Sequence, residues 1–221
     1  MRHVFAETNW LVTLAAPARN PPPAAVELQD SAKDGRIRIY LPACCISEAK
    51  KTVRQKFQPK EADRLRSFVQ WALEKKHLDH ETAESARKML SSFEGHVRSG
   101  LAKLNDKLLE ITKAAGVEVL QLDGPMFDMS LELYFKEIEL TEFDRAVLVT
   151  VLTKGRSLRD RGETDVSFCE LDSDLWPWKK GTGGARAELK KLYDDAGVWV
   201  YSDFTLTSPE RPHDFGQTTR R

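Results

Sequence analysis

The eight residues Val4-Phe5-Ala6-Glu7-Thr8-Asn9-Trp10-Leu11 constrain this chain more than any other stretch. Three apolar residues run into a carboxylate, and two good helix N-cap residues follow before a second apolar pattern starts. A short apolar run bounded in this way predicts a buried strand, with Thr8 or Asn9 opening the helix after it. At the carboxyl end of a parallel strand, Glu7 would stand where open α/β sheets hold their ligands. Taken alone, it reads equally as a polar turn residue that caps a helix or meets solvent.

The same alternation recurs along the chain. Ile37, Ile39 and Leu41, alternating with Arg38 and Tyr40, predict a second strand, and Val117, Val119 and Leu120, then the stretches 166–169 and 198–200, predict three more, each separated from the next by helical spacing. Helices are expected from Trp10, after the proline run at 21–23, from Pro42 to Val53, over 127–135, after the N-cap Thr141, and over 185–193. The polar stretch 154–162 reads as a loop. The expected fold is therefore three-layer α/β/α around a central, mostly parallel sheet of about five strands. Residues 57–116 interrupt it: Leu65, Phe68, Val69 and Ala72, then Met89, Leu90, Phe93 and Val97, recur at helical spacing among charges. They predict an inserted helical hairpin, kinked near Gly95 and Gly100. Its charged faces read as solvated surface, and equally as an arm for a protein partner or a substrate strand. The expected organisation is one domain over 1–204 and a polar tail over 205–221.

Composition excludes several classes. Lys+Arg and Asp+Glu number 34 each, so no global basic signature of a nucleic-acid coat protein is present. No apolar run reaches the roughly 20 residues of a membrane span, and the N-terminus lacks the pattern of a signal peptide. Cys44, Cys45 and Cys169 have no metal-ligand spacing, and His77, His80 and His96 lie on polar segments without a paired cysteine. A reduced, cytoplasmic chain is the simplest expectation.

Four acids occupy related positions. Glu7 and Asp172 each follow an apolar strand, while Glu48 and Asp144 each lie near the start of an apolar helix. In a doubly wound sheet these places converge on one edge. Carboxylates crowded there repel one another unless a hard divalent cation joins them, which suits Mg²⁺ or Mn²⁺. Such an ion supports hydrolysis of a phosphodiester without a serine, cysteine or histidine nucleophile. For each acid a plainer role is available: a surface salt bridge for Glu48, dipole complementation for Asp144. Arg145, Arg156, Arg159 and Arg161 are candidates for phosphate contacts, if the segment 154–162 rims the site. Trp176 and Trp178 could stack on bases or anchor their loop.

The order of these pieces resembles the PIN-domain nuclease family. The resemblance rests on Val4-Phe5-Ala6-Glu7-Thr8-Asn9, on Ile46-Ser47-Glu48, on Asp144-Arg145-Ala146-Val147-Leu148 and on Phe168-Cys169-Glu170-Leu171-Asp172-Ser173-Asp174. It spans most of the chain outside the hairpin and the tail. It implies metal ligation by Glu7, Glu48, Asp144 and Asp172, with Asp174 as a secondary acid and Thr8 and Asn9 supporting Glu7 by hydrogen bonds. It also implies divalent-metal-dependent endoribonuclease activity on RNA, often that of a toxin held by an antitoxin partner, and it leaves room for a homodimer. The first acid of the family is usually Asp, so Glu7 carries its carboxylate one carbon–carbon bond further out. Two other expectations stand beside this one: a catalytically silent scaffold whose hairpin binds a protein, and a nuclease for single-stranded or flap DNA.

Overall fold

The computed structural model of the chain describes all residues except 18–19, 58–59, 136–137, 139, 180–185 and 207–221. Five strands form one all-parallel sheet: β1 (Arg2–Ala6), β2 (Ile37–Pro42), β3 (Val117–Leu120), β4 (Val166–Cys169) and β5 (Trp199–Tyr201), in the spatial order β3-β2-β1-β4-β5. Val4, Phe5 and Ala6 are wholly buried, as is each residue of β4. Strands covered on both faces need apolar residues at every position, which is why these segments read as runs and not as alternations.

Nine α-helices flank the sheet among the described residues. For this strand order the right-handed rule for parallel crossovers puts the helices of the β1→β2→β3 path on one face and those of the return path to β4 and β5 on the other. The packing groups agree with this. Helices α1 (Thr8–Ala15), α2 (Pro23–Lys33) and α6 (Leu104–Thr112) touch one another through α1, while α7 (Gly124–Phe135), α8 (Glu142–Asp160) and α9 (Ala187–Ala196) pack through α8. Helix α3 (Ala43–Lys56) touches both α1 and α8. The fold is thus α/β with three layers.

Two helices, α4 (Lys60–Glu74) and α5 (His80–Ala102), pair with each other as an arm. The segment expected as a hairpin over 57–116 is divided differently from that expectation. Leu104, Leu108 and Ile111 of α6 are buried in the main core, so the arm ends at Ala102. Helix α5 runs unbroken through Gly95 and Gly100. Gly100 serves contact instead: a side-chain carbon there would overlap Pro17, and His96 Nε2 lies 3.1 Å from the Pro17 carbonyl. At the other end of the chain Phe204 and Leu206 are still packed on the core, so the expected tail begins later, and 207–221 lie outside the described residues.

The stretch 154–162 is not a loop. Helix α8 continues to Asp160, because Leu152, Gly155 and Leu158 extend its buried stripe at a spacing of three. Gly155 is where α8 meets the turn before β5. A Cβ there would stand 2.5 Å from Val198 Cγ2 and 3.2 Å from the Ala196 carbonyl oxygen. Gly155→Val should therefore lower unfolding free energy by about 1–3 kcal/mol through overpacking. Urea denaturation measures this, and stability equal to wild type would remove the proposed close packing.

Candidate acidic site at the switch point of the sheet

Strand order reverses between β1 and β4, and ligands of open α/β sheets bind beyond the carboxyl ends of the strands at such a point. Register places two acids there. Ala6 pairs with Cys169 across the two parallel strands, so Glu7 and Glu170 are the next residues of adjacent strands. Neighbouring strands lie about 4.8 Å apart. Two ionised carboxylates held about 5 Å apart would repel by about 3 kcal/mol at an effective dielectric of 20.

Each glutamate is fixed by the turn that follows it. Glu7, and neither Thr8 nor Asn9, is the N-cap of α1, and its Oε2 accepts the Asn9 amide at 2.8 Å. Glu170 Oε1 accepts the Asp172 amide at 2.8 Å, again two residues ahead. The Glu170 backbone is held at both ends of its peptide unit: its amide donates to the Tyr201 carbonyl, and its carbonyl accepts the Trp176 indole N–H at 2.7 Å. Asp144 stands in the first turn of α8, where Thr141 caps the helix by accepting the Asp144 amide and donates its hydroxyl to Asp144 Oδ2 at 2.6 Å.

These side chains line one cleft of about 260 Å³, with Glu7, Glu48, Asp144, Glu170 and Asp172 as its acids. Lys56 is the one cation among the described residues that line it. Glu48, Thr52 and Lys56 follow one another at a spacing of four along α3 and form a wall. Glu48 is half-exposed, 3.4 Å from both the Lys51 ammonium and the Thr52 hydroxyl, so the salt-bridge role weighed from the sequence is present beside its place in the cleft. Asp174 is exposed and does not line the cleft, although its charge reaches Asp144. Arg186 holds this turn through the carbonyls of Ser173, Asp174 and Trp176.

The electrostatics follow from burial first and from like charge second. Desolvation, with the charges of Asp172 and Asp144, pushes the Glu7 carboxyl from 4.5 up to about 7 against the hydrogen bond from Asn9. Desolvation and the charge of Glu7 push Glu170 from 4.5 up to about 10. Asp144 is raised by partial burial and by Asp174 and Asp172. Glu7 is 5% exposed and Glu170 3%, and Glu7 Oε1 is buried without a hydrogen-bond partner among the described residues. A buried carboxylate oxygen left unpaired is costly. The donor set is oxygen only and strongly anionic, which fits a hard divalent cation. Among the described residues, no group of three or more His, Cys, Asp or Glu side chains is posed to hold an ion.

The structure thus brings together Glu7, Glu48, Asp144 and Asp172, and it adds Glu170. The signal for Glu170 was in the sequence: like Glu7, it follows an apolar strand with no residue between. Of the supporting residues, Asn9 bonds Glu7, whereas Thr8 is buried beside the Cys45 thiol. The arginines divide. Arg145 lies next to Asp144, with its guanidinium on the Leu140 carbonyl and 5.2 Å from the centre of the Tyr134 ring. Arg156, Arg159 and Arg161 do not rim the cleft. They sit at the far end of α8, where Arg156 and Arg161 line a separate depression and Arg159 binds Asp160 and the Asp195 carbonyl. At 1.5 Å per residue, Arg161 is about 25 Å from Asp144 along the helix. Trp176 and Trp178 stack on each other with ring centres 5.1 Å apart, and Trp178 joins the core; they anchor their loop. No protein-family model matches the chain, and comparison with curated proteins and with solved structures found no match.

The raised carboxyl groups give a signed pH dependence. A carboxyl whose folded pKa exceeds its unfolded value adds stability below the unfolded value, and that stability is lost as pH rises through the folded one. In EDTA, the melting temperature should fall as pH rises from 4.5 to about 7 through Glu7, and further towards 10 through Glu170. Glu7→Gln should flatten the first part of this fall and raise the melting temperature at pH 8. A profile identical to wild type would mean that Glu7 is not held as described.

Proposed function

We propose that the chain is a divalent-metal-dependent nuclease that hydrolyses phosphodiester bonds of single-stranded nucleic acid, RNA first among them. The observation that supports this best is the buried Glu7–Glu170 pair at the switch point, with Asp144 and Asp172 on the same cleft. Glu7, Asp144, Glu170 and Asp172 would hold the cation, and Glu48 would complete the anionic wall. When bound, a Mg²⁺ or Mn²⁺ ion supplies charge neutralisation at the phosphate and a water of lowered pKa for in-line attack.

The remaining work falls to residues of this chain. Thr141 and the amide of Asn9 orient Asp144 and Glu7 by hydrogen bonds, so their oxygens are fixed before substrate arrives. Lys56 presents the cationic group of the cleft to a phosphate oxygen. Phe143, Val147 and Leu175 give the cleft an apolar floor that lowers the local dielectric and strengthens each of these charges. The longer side chain of Glu7 fits this arrangement, because its carboxylate reaches back to cap α1 while Oε1 stays unpaired.

The reading predicts cleavage of labelled single-stranded RNA with Mn²⁺ or Mg²⁺ and none in EDTA. Asp144→Asn should reduce the rate on the order of 100-fold or more. Arg159→Ala, altered at the opposite end of α8, should leave the rate within about twofold of wild type. Failure of the wild type to cut either RNA or DNA with both ions would overturn the proposal.

A further inference from the structure

We infer that the α4–α5 arm is a binding platform for single-stranded nucleic acid, with one face of α4 as the contact surface. The inference rests on the nuclease reading for the identity of its polymer, but on different residues. Arg64, Phe68 and Trp71 follow at spacings of four and three, which puts them on one stripe of α4, and Lys75, the residue after the last of the helix, continues the spacing four further on. All four are exposed, Phe68 by 57% and Trp71 by 48%. Phe68 and Trp71 touch one another and so form a contiguous exposed aromatic patch, the kind of surface feature that marks an interaction site. The buried side of the helix carries Ala62, Val69 and Ala72, while Leu65 is 49% exposed.

The chemistry of the stripe selects the occupant. Cations stand at both of its ends, and the acids Asp63 and Glu74 fall to its flank, given about 100° of rotation per residue. The rings are arranged as a ladder: Phe68 and Trp71 lie 5.8 Å apart, and His77 continues the series 5.5 Å from Trp71. Lys76 closes the helix with a left-handed φ of 59°, where Gly or Asn is favoured. The tip therefore presents Lys75, Lys76 and His77 beside the rings. Aromatic faces take bases of any identity, and interleaved cations track a phosphate backbone. Exposed Leu65 lies on the same helix, and a protein partner is the alternative that the test below separates.

The arm follows the cleft wall in the chain. Lys56, which lines the acidic cleft, is the last residue of α3, and α4 begins at Lys60. The arm is held at its base by the Gly100–Pro17 contact and the Pro17 carbonyl beside His96.

The test uses the full chain in EDTA, with labelled short single strands of RNA and of DNA, read by anisotropy and by quenching of tryptophan fluorescence. Wild type should bind, and Phe68→Ala/Trp71→Ala should weaken binding by about tenfold or more, as loss of base stacking requires. Arg64→Ala/Lys75→Ala should lower the slope of log affinity against log salt by about 1. Because these residues are exposed, unchanged circular dichroism and melting temperature serve as the control for folding. Equal binding by wild type and the aromatic variant overturns the inference. So does failure of wild type to bind either polymer, which would leave the arm to a protein. A strand that binds through the arm but is never cut sinks the cleft reading and leaves this one standing.

Discussion

Two buried glutamates at the ends of adjacent parallel strands set the terms for the rest of this molecule. Glu7 and Glu170 follow the paired residues Ala6 and Cys169, so the sheet itself holds their carboxyl groups close together. Among the described residues no buried Lys or Arg separates them; loss of water first, then the charges of Asp172 and Asp144 on Glu7 and of Glu7 on Glu170, drive both towards the neutral form. Proteins retain such a pair at a cost in stability, and the cost is recovered when a cation binds, because anything that binds the folded state selectively stabilises it. The neighbouring elements are arranged around this conflict. Helix N-termini point at Glu7 and at Asp144, and the Arg186-held turn carries Asp172 to the cleft.

How much of this was legible in the sequence differs from element to element, for physical reasons. Strands buried on both faces announce themselves as apolar runs, so β1 and β4 were plain, while β2 was legible from the alternation of Ile37, Ile39 and Leu41 with Arg38 and Tyr40. Glu7, Asp144 and Asp172 were legible because each abuts such an element. Glu170 was passed over in favour of Asp172, since a chain of three residues with two acids does not say which one the register aligns with Glu7. Only strand pairing decides that.

The arginines failed for another reason. The segment 154–162 is polar enough to read as a loop, yet a helix can be polar on all but one narrow stripe and still be held by packing. Leu152, Gly155 and Leu158 are that stripe, and the glycine that suggested a break is the close contact with Val198. Once α8 is continuous, its dipole and its length put Asp144 at one end and Arg156, Arg159 and Arg161 at the other. The hairpin shows the converse. Its periodicity was clear, but which of its helices the core would claim depended on Leu104, Leu108 and Ile111 finding α1 and β3. In the sequence Phe68 stood in one helical period with Leu65, Val69 and Ala72, and only exposure separates it, with Trp71, from the buried Val69 and Ala72.

The central claim is that burial and neighbouring carboxylates keep Glu170 largely protonated and Glu7 about half protonated at neutral pH, and that a divalent cation takes those protons' place. Isothermal titration of Mn²⁺ into the chain at pH 7, repeated in buffers of different ionisation enthalpy, measures this directly. The account predicts binding with release of about one proton or more per ion, because the ligands must ionise to bind. Glu170→Gln should weaken binding and remove most of that release. Absence of binding would contradict the claim, as would binding with no proton released and no response to substitution of either glutamate.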